Sequence, residues 1–427
     1  MNKRDNLGLF RQLAYSSGYM GLALTSELIG MWLIFFYAAR EEMVFVPVLL
    51  MGGIVFFGRV MDAVSSPVIG YFSDRSRSRF GRRIPFIAIG TLFLVVTLIL
   101  IFHPPVPAES VINAIYLIVV LGLFWIFFSA VATPHHALLP ELVSTGRERI
   151  NLAKYVGIFG VLGLFIAFAG SGYLIDHHGF GLMAIVMGAI VFVSLYILVI
   201  SIKESPWSSA KEVDLSFIAA MKHCFMNKPF LYYVFAFTLM MMGLSLLAAA
   251  VPFIVTVLMG AGEEWAGYAM GMMMVVALLS FPMINYLAKK FGKKIVFAGS
   301  ILFFSVFASL LGTIGMLPIS PFYHGLFLIV IMGAPVASAL MLPFAIIADV
   351  IDHDETITGF RREACYFGVQ ALIWKSGAGI SALILTLLLH HFGKTAAEPL
   401  GIILAGPAAG LIPLIGFFVF LKYPFEK

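Results

Sequence analysis

The sequence predicts an all-α membrane protein of twelve transmembrane helices arranged as two six-helix bundles. Three observations carry that expectation. Of 427 residues, 61% are apolar and only 11% are charged, whereas a soluble domain carries about 25% charged residues; lipid must cover so much hydrocarbon. The apolar runs continue for roughly twenty residues without the period-2 alternation of a barrel strand, and only helices and closed barrels satisfy their backbone inside a bilayer. Forty Gly and twenty Pro are spread through these runs, as in membrane helices, where neighbours re-satisfy freed backbone groups.

Taken in order, the first span, 15–38, follows a polar, basic stretch, MNKRDNLGLFRQLAYSS. No cleavable leader is expected before it, and the helix itself is expected to direct insertion. The second, 43–72, ends on GYFSDRSRSRFGRR (Gly70 to Arg83). Spans 84–103 and 112–138 lead to Arg147 and Arg149, and spans 150–175 and 181–202 lead into a long loop from Lys203 to Lys228. Beyond it come 230–259 and 264–288, NYLAKKFGKK (Asn285 to Lys294), 295–316, 321–348, a charged stretch from Asp349 to Arg362, then 363–389 and 400–422. With the termini and even-numbered loops on one side, that side holds 22 of the 27 basic residues and the other only Arg40 and Lys394. A wrong count would scramble this segregation. The positive-inside rule therefore places both termini in the cytoplasm of a bacterial-type inner membrane. Orientation also explains the net charge of +5, and no basic stretch is interleaved with aromatics, so nucleic acid is not an expected partner. Cys224 and Cys365 fall on the cytoplasmic side or within a helix, where no disulfide is expected.

The loop at 203–228, with KESPWSSAKEVD as its polar part, divides the chain into bundles 1–202 and 229–427. A related pattern recurs after the second and eighth spans: Gly81 and Gly292, each followed by two basic residues, stand 211 positions apart, about half the chain. Duplication of a six-helix unit predicts this, and paired six-helix halves are the major facilitator architecture. A Gly permits a tight turn there, and Asp74 can hold Arg82 and Arg83 or cap a helix end as a gate latch. The alternative is that these residues only enforce topology.

Residues 58–85, GRVMDAVSSPVIGYFSDRSRSRFGRRIP, resemble the glycoside-pentoside-hexuronide:cation symporter family of the major facilitator superfamily. Residues 132–155, ATPHHALLPELVSTGRERINLAKY, are similar to that family's fourth helix and following loop. Residues 348–381 are similar to its tenth-to-eleventh helix segment. The resemblance implies alternating access around a central site and a cation site of acidic residues on the second and fourth helices. Asp62 matches the first such carboxylate, but Ser66 and Ala132 occupy two positions that are usually acidic, and Leu22 and Ala23 lie where the family's first helix carries a sugar-binding Asp. A sodium site needs several hard oxygens with anionic charge, so these departures argue against sodium coupling and against galactoside recognition.

An ionisable group in hydrocarbon must be paired or face a cavity, so the few within the spans mark candidate sites. Glu27 is read either as a structural partner for a lysine or as a proton carrier and substrate contact. Arg59 and Asp62, at i,i+3, form either a structural ion pair or a gating and coupling pair, with Ser66 beside them. His135 and His136 are helix-end hydrogen-bond partners or a proton relay. Lys154 binds substrate or snorkels to the interface. Lys375 lies too far beyond Arg362 to snorkel, stands where the family usually has a lysine, and is expected to line the cavity. Trp125, Tyr366 and Trp374 are candidate sugar-stacking rings, although Trp374 and Lys375 project about 100° apart and cannot both point straight at one ligand. The acidic run Asp349, Asp352, His353, Asp354, Glu355 admits a Mg²⁺ site but also a cytoplasmic gate with Arg361 and Arg362.

Together these features predict a monomeric, proton-coupled secondary transporter of a small organic solute, anionic because Lys375 lacks the family's usual acidic partners, with a hexuronide as the type case. No cofactor or metal is expected. A lysophospholipid transporter or exporter of the same fold is the alternative, and a Mg²⁺-dependent membrane enzyme acting on a phosphorylated lipid is a further one.

Overall fold

A computed structural model describes residues 8–38, 44–76, 78, 80–143, 146–202, 224–358 and 363–425, and these contain helices and no strand. The helices are α1 (Leu9–Ala38), α2 (Val48–Arg75), α3 (Ile84–Ile101), α4 (Val111–Leu142), α5 (Gly146–Phe165), α6 (Ser171–Ser201), α7 (Lys228–Phe253), α8 (Glu263–Phe291), α9 (Lys293–Leu310), α10 (Pro321–Ile331), α11 (Gly333–Thr358), α12 (Glu363–Phe392) and α13 (Leu400–Phe420). A π-helical turn at Ile166–Gly170 joins α5 to α6, and α6 is broken at Gly179, where φ is 78°. Crossings five and six therefore meet inside one continuous run of 51 residues, whereas α10 and α11 together make the tenth crossing. The twelve crossings of the major facilitator fold are thus present. Several helices outrun the apolar spans, α4 to Leu142 and α11 to Thr358, because hydropathy marks only the hydrocarbon while backbone hydrogen bonding continues into the polar interface.

The contacts divide the chain into two units, the first comprising Met1–Leu50 and Phe57–Ala210, the second Met51–Phe56 and Lys211–Lys427. In the first unit α1 packs on α5 and α6 through glycines: a Cβ on Gly163 would strike the Met20 carbonyl, and Gly21 meets Ser194 and Leu195. Trp32 donates to the Ser171 hydroxyl at 2.7 Å, tying the same helices inside the apolar layer. Buried Asn113 holds the connection between α3 and α4, its amide donating to the carbonyls of Phe45, Val106 and Ala108 at 2.8–3.2 Å. These loop carbonyls have no helical partner, and the buried amide satisfies them. Exposed side chains on α3 are apolar at helical spacing (Ile89, Leu92, Phe93, Val96, Leu100), a lipid-facing stripe.

In the second unit Asn227 caps α7, accepting from the Phe230 N–H at 3.1 Å, and Gly243 lets α7 approach Pro413 of α13. Gly81 and Gly292 both adopt left-handed φ, 104° and 88°, so the repeated loop turns through the same backbone device in both units. A buried Arg83 then donates to the Ala137 carbonyl near the end of the fourth crossing. In the second unit Lys293, the first basic residue after Gly292 as Arg82 is the first after Gly81, pairs with Asp349 in the tenth crossing. Shifted by the same 211 positions, Ala137 falls one residue before Asp349, so each unit fastens its repeated loop to the same place.

Candidate functional site

The first unit gathers polar groups between α2 and α4. Helical spacing puts Arg59, Asp62, Ser65 and Ser66 of α2 on neighbouring faces, and the i,i+4 pair Trp125 and Ser129 of α4 meets them. Asp62 is 1% exposed and Ser129 1%. The Ser129 hydroxyl donates to Asp62 Oδ1 at 2.9 Å, and Ser65 donates to Ser129 Oγ at 2.9 Å. The Ser66 hydroxyl lies 3.1 Å from that oxygen and donates to the Asp62 carbonyl at 2.8 Å. One hydroxyl therefore meets the carboxylate, and two more hold that hydroxyl.

Arg59, 9% exposed, turns its guanidinium onto the Trp125 indole, 4.2 Å from the ring centroid. The i,i+3 spacing places Arg59 and Asp62 one turn apart on α2, each with its own partner on α4. Gly58 makes room for the indole, since a Cβ there would come 2.8 Å from Trp125 Cδ1. Trp125 is 1% exposed and its face carries the guanidinium, so it serves Arg59 and not a stacked sugar ring. Glu27 is half-buried on α1, in a partly open stripe with Tyr19, Ala23, Ser26 and Gly30 at helical spacing.

The two histidines lie elsewhere in the unit. His135 is fully buried and stacked on Tyr15, ring centroids 4.5 Å apart and 6° from parallel. Its Nε2 donates to the Tyr15 carbonyl at 3.1 Å and the Tyr15 hydroxyl donates to the His135 carbonyl at 3.0 Å, a reciprocal clamp of α1 to α4. His136 is exposed, 5.8 Å from the Tyr19 ring. Lys154 is exposed on α5, its Nζ 5.9 Å from the Tyr155 centroid. Arg83 also donates to Asp74 at 3.1 Å; Asp74 is exposed and Arg82 half-buried. Asp74 and Arg83 thus fasten the loop within this unit.

In the second unit Lys375 and Trp374 are both half-buried on α12, within 371–376, where every residue is partly open. Tyr366 is 1% exposed, accepts from the Asn227 amide at 2.9 Å and meets Phe230 edge-on at 4.9 Å. That ring is a structural joint, not an open sugar platform. Asp349 takes Lys293, Asp352 is exposed and Asp354 buried. Arg361 and Arg362 lie outside the described residues.

Sequence reading missed Ser129, Ser65 and Gly58. The signal was available for Ser129: it stands three residues before Ala132, one helical turn away on the face where the resembling family carries its acid.

A family profile described as MFS/sugar transport protein matches residues 14–400. An uncharacterised symporter of Synechocystis sp. is 24% identical over 92% of this chain and 88% of its own. The isoprimeverose transporter of Lactiplantibacillus pentosus is 23% identical over 90% and 81%, and the sodium-dependent lysophosphatidylcholine symporter 1 of Gallus gallus 23% over 99% and 88%. Among solved structures, a mutant of the nucleoside transporter NupG superposes with a TM-score of 0.71 at 14% identity, covering 97% of this chain and 100% of that one.

Proposed function

This chain belongs to the MFS/sugar transport protein family, a family of transporters and not of enzymes, and on that premise we propose that it imports a small anionic glycoside or sugar acid with a proton by alternating access. The observation that carries the reading is the set of intramembrane charges in the first unit, Arg59 and Asp62 buried on α2 and Glu27 half-buried on α1. With both carboxylates ionised it holds two negative charges and one positive, so a single proton neutralises it in a medium where net charge is costly. Import follows if protonation and solute binding are thermodynamically linked: the proton is loaded from outside and released inside. The Ser129 hydroxyl orients the Asp62 carboxylate, with Ser65 and Ser66 holding Ser129 in turn, and Arg59 one turn away supplies fixed positive charge, which disfavours a second resident cation. Half-buried Lys375 is the cationic contact for the solute's carboxylate.

Uptake into proteoliposomes tests this. A pH gradient is expected to drive accumulation of a β-glucuronide over the matching neutral β-glucoside, and Lys375→Ala to remove that preference. Preference for the neutral sugar, or uptake that answers only to a sodium gradient, would overturn the reading. The lysophosphatidylcholine symporters among the relatives favour a second substrate class, a lysophospholipid. Adding lysophosphatidylcholine to the same vesicles separates the two.

A further inference from the structure

The geometry points to Cys224 and Cys365 as a modification site, a dithiol that closes into a reversible disulfide on two-electron oxidation. They are the two cysteines of the chain, 141 residues apart in sequence, yet their sulfurs lie 2.7 Å from each other in the second unit. Neither is joined in a disulfide, and Cys224 is buried and Cys365 half-buried, so an oxidant reaches Cys365 first. The neighbouring contacts hold the pair in place. Asn227, three residues after Cys224, donates its amide to the hydroxyl of Tyr366, the residue after Cys365, at 2.9 Å, and Phe230 packs edge-on against that ring at 4.9 Å. The sulfurs are thereby presented to each other with most of the encounter entropy already removed.

The chemistry balances with a hydroperoxide as oxidant. The Cys365 thiolate attacks one peroxide oxygen, forming the sulfenic acid and, with hydrogen peroxide, releasing water. The Cys224 thiolate then attacks the sulfenic sulfur, forming the S–S bond and expelling the hydroxyl as a second water. The two thiols lose two protons and two electrons and the peroxide is reduced to two waters. A reducing cytoplasm returns the pair to thiols, as expected of redox-sensing rather than structural disulfides. When closed, the bond ties the segment before α7 to the first turn of α12, the helix that carries Lys375.

The experiment uses the purified full chain in detergent, exposed to stoichiometric hydrogen peroxide, with intact mass and PEG-maleimide labelling after denaturation. The expected result is a mass loss of two hydrogen atoms and a fall from two adducts to none, both reversed by dithiothreitol. Cys224→Ser and Cys365→Ser are each expected to show no such mass loss. Two adducts persisting on the wild-type chain, a dimer on a non-reducing gel in place of the intramolecular product, or addition of oxygen mass that dithiothreitol does not reverse would each overturn the assignment. The wild-type measurements stand without the variants, should either serine chain fail to fold.

Discussion

Replacing Trp125 by Leu probes what holds Arg59 inside the first unit. The guanidinium lies 4.2 Å from the indole centroid, with Arg59 9% and Trp125 1% exposed. A desolvated cation over an indole contributes roughly 2 kcal/mol. The single variant also loses apolar contact, and Arg59→Met alone leaves two carboxylates without their cation, so neither cost isolates the pair. The double-mutant cycle does. It is expected to return a coupling of about 2 kcal/mol, a factor of roughly 30 in the unfolding equilibrium. Reversible unfolding by SDS in mixed micelles, followed by circular dichroism, measures it without depending on the tryptophan removed. Trp125→Phe should retain part of the coupling, and Gly58→Ala, whose new Cβ meets Trp125 Cδ1 at 2.8 Å, should weaken it by displacing the ring. A coupling below about 0.5 kcal/mol, the range of independent sites, would refute the reasoning and leave Arg59 held by the carboxylates alone.

Asp62→Asn is expected to abolish accumulation driven by a pH gradient while solute exchange at equal pH continues; retained accumulation in the same proteoliposome assay would remove Asp62 from the coupling role. Gly243→Ala forces a Cβ into Pro413 and the Ala409 carbonyl and should cost about 1–3 kcal/mol, whereas Gly157→Ala, with open space around it, should be neutral or stabilising by up to about 1 kcal/mol; melting temperatures of the pair decide. Arg83→Ala breaks a buried, charge-assisted tie and should cost about 1.5–3 kcal/mol. Lys293→Ala, whose side chain and partner are 28% and 31% exposed, should cost no more than about 1 kcal/mol, as read by the same SDS titration.

Solvent, helix count and internal repeat were legible from residue order because they follow from local runs: twenty apolar residues match the bilayer's thickness, and the Gly-basic-basic element recurs at a fixed interval. The short list of intramembrane charges was legible for the same reason, since hydrocarbon tolerates few of them. Which partner each group takes depends on contacts across distant parts of the chain. Asp62 meets Ser129 from another helix, Arg59 turns to Trp125, and His135 is sealed against Tyr15, 120 residues away. Nothing periodic in the sequence encodes these choices, because they depend on the rotation and depth at which helices pack and on glycines that let two backbones close. The cysteine pair is the same case. Composition and compartment predicted two separate thiols, and packing of the segment before α7 against the start of α12 brought their sulfurs together.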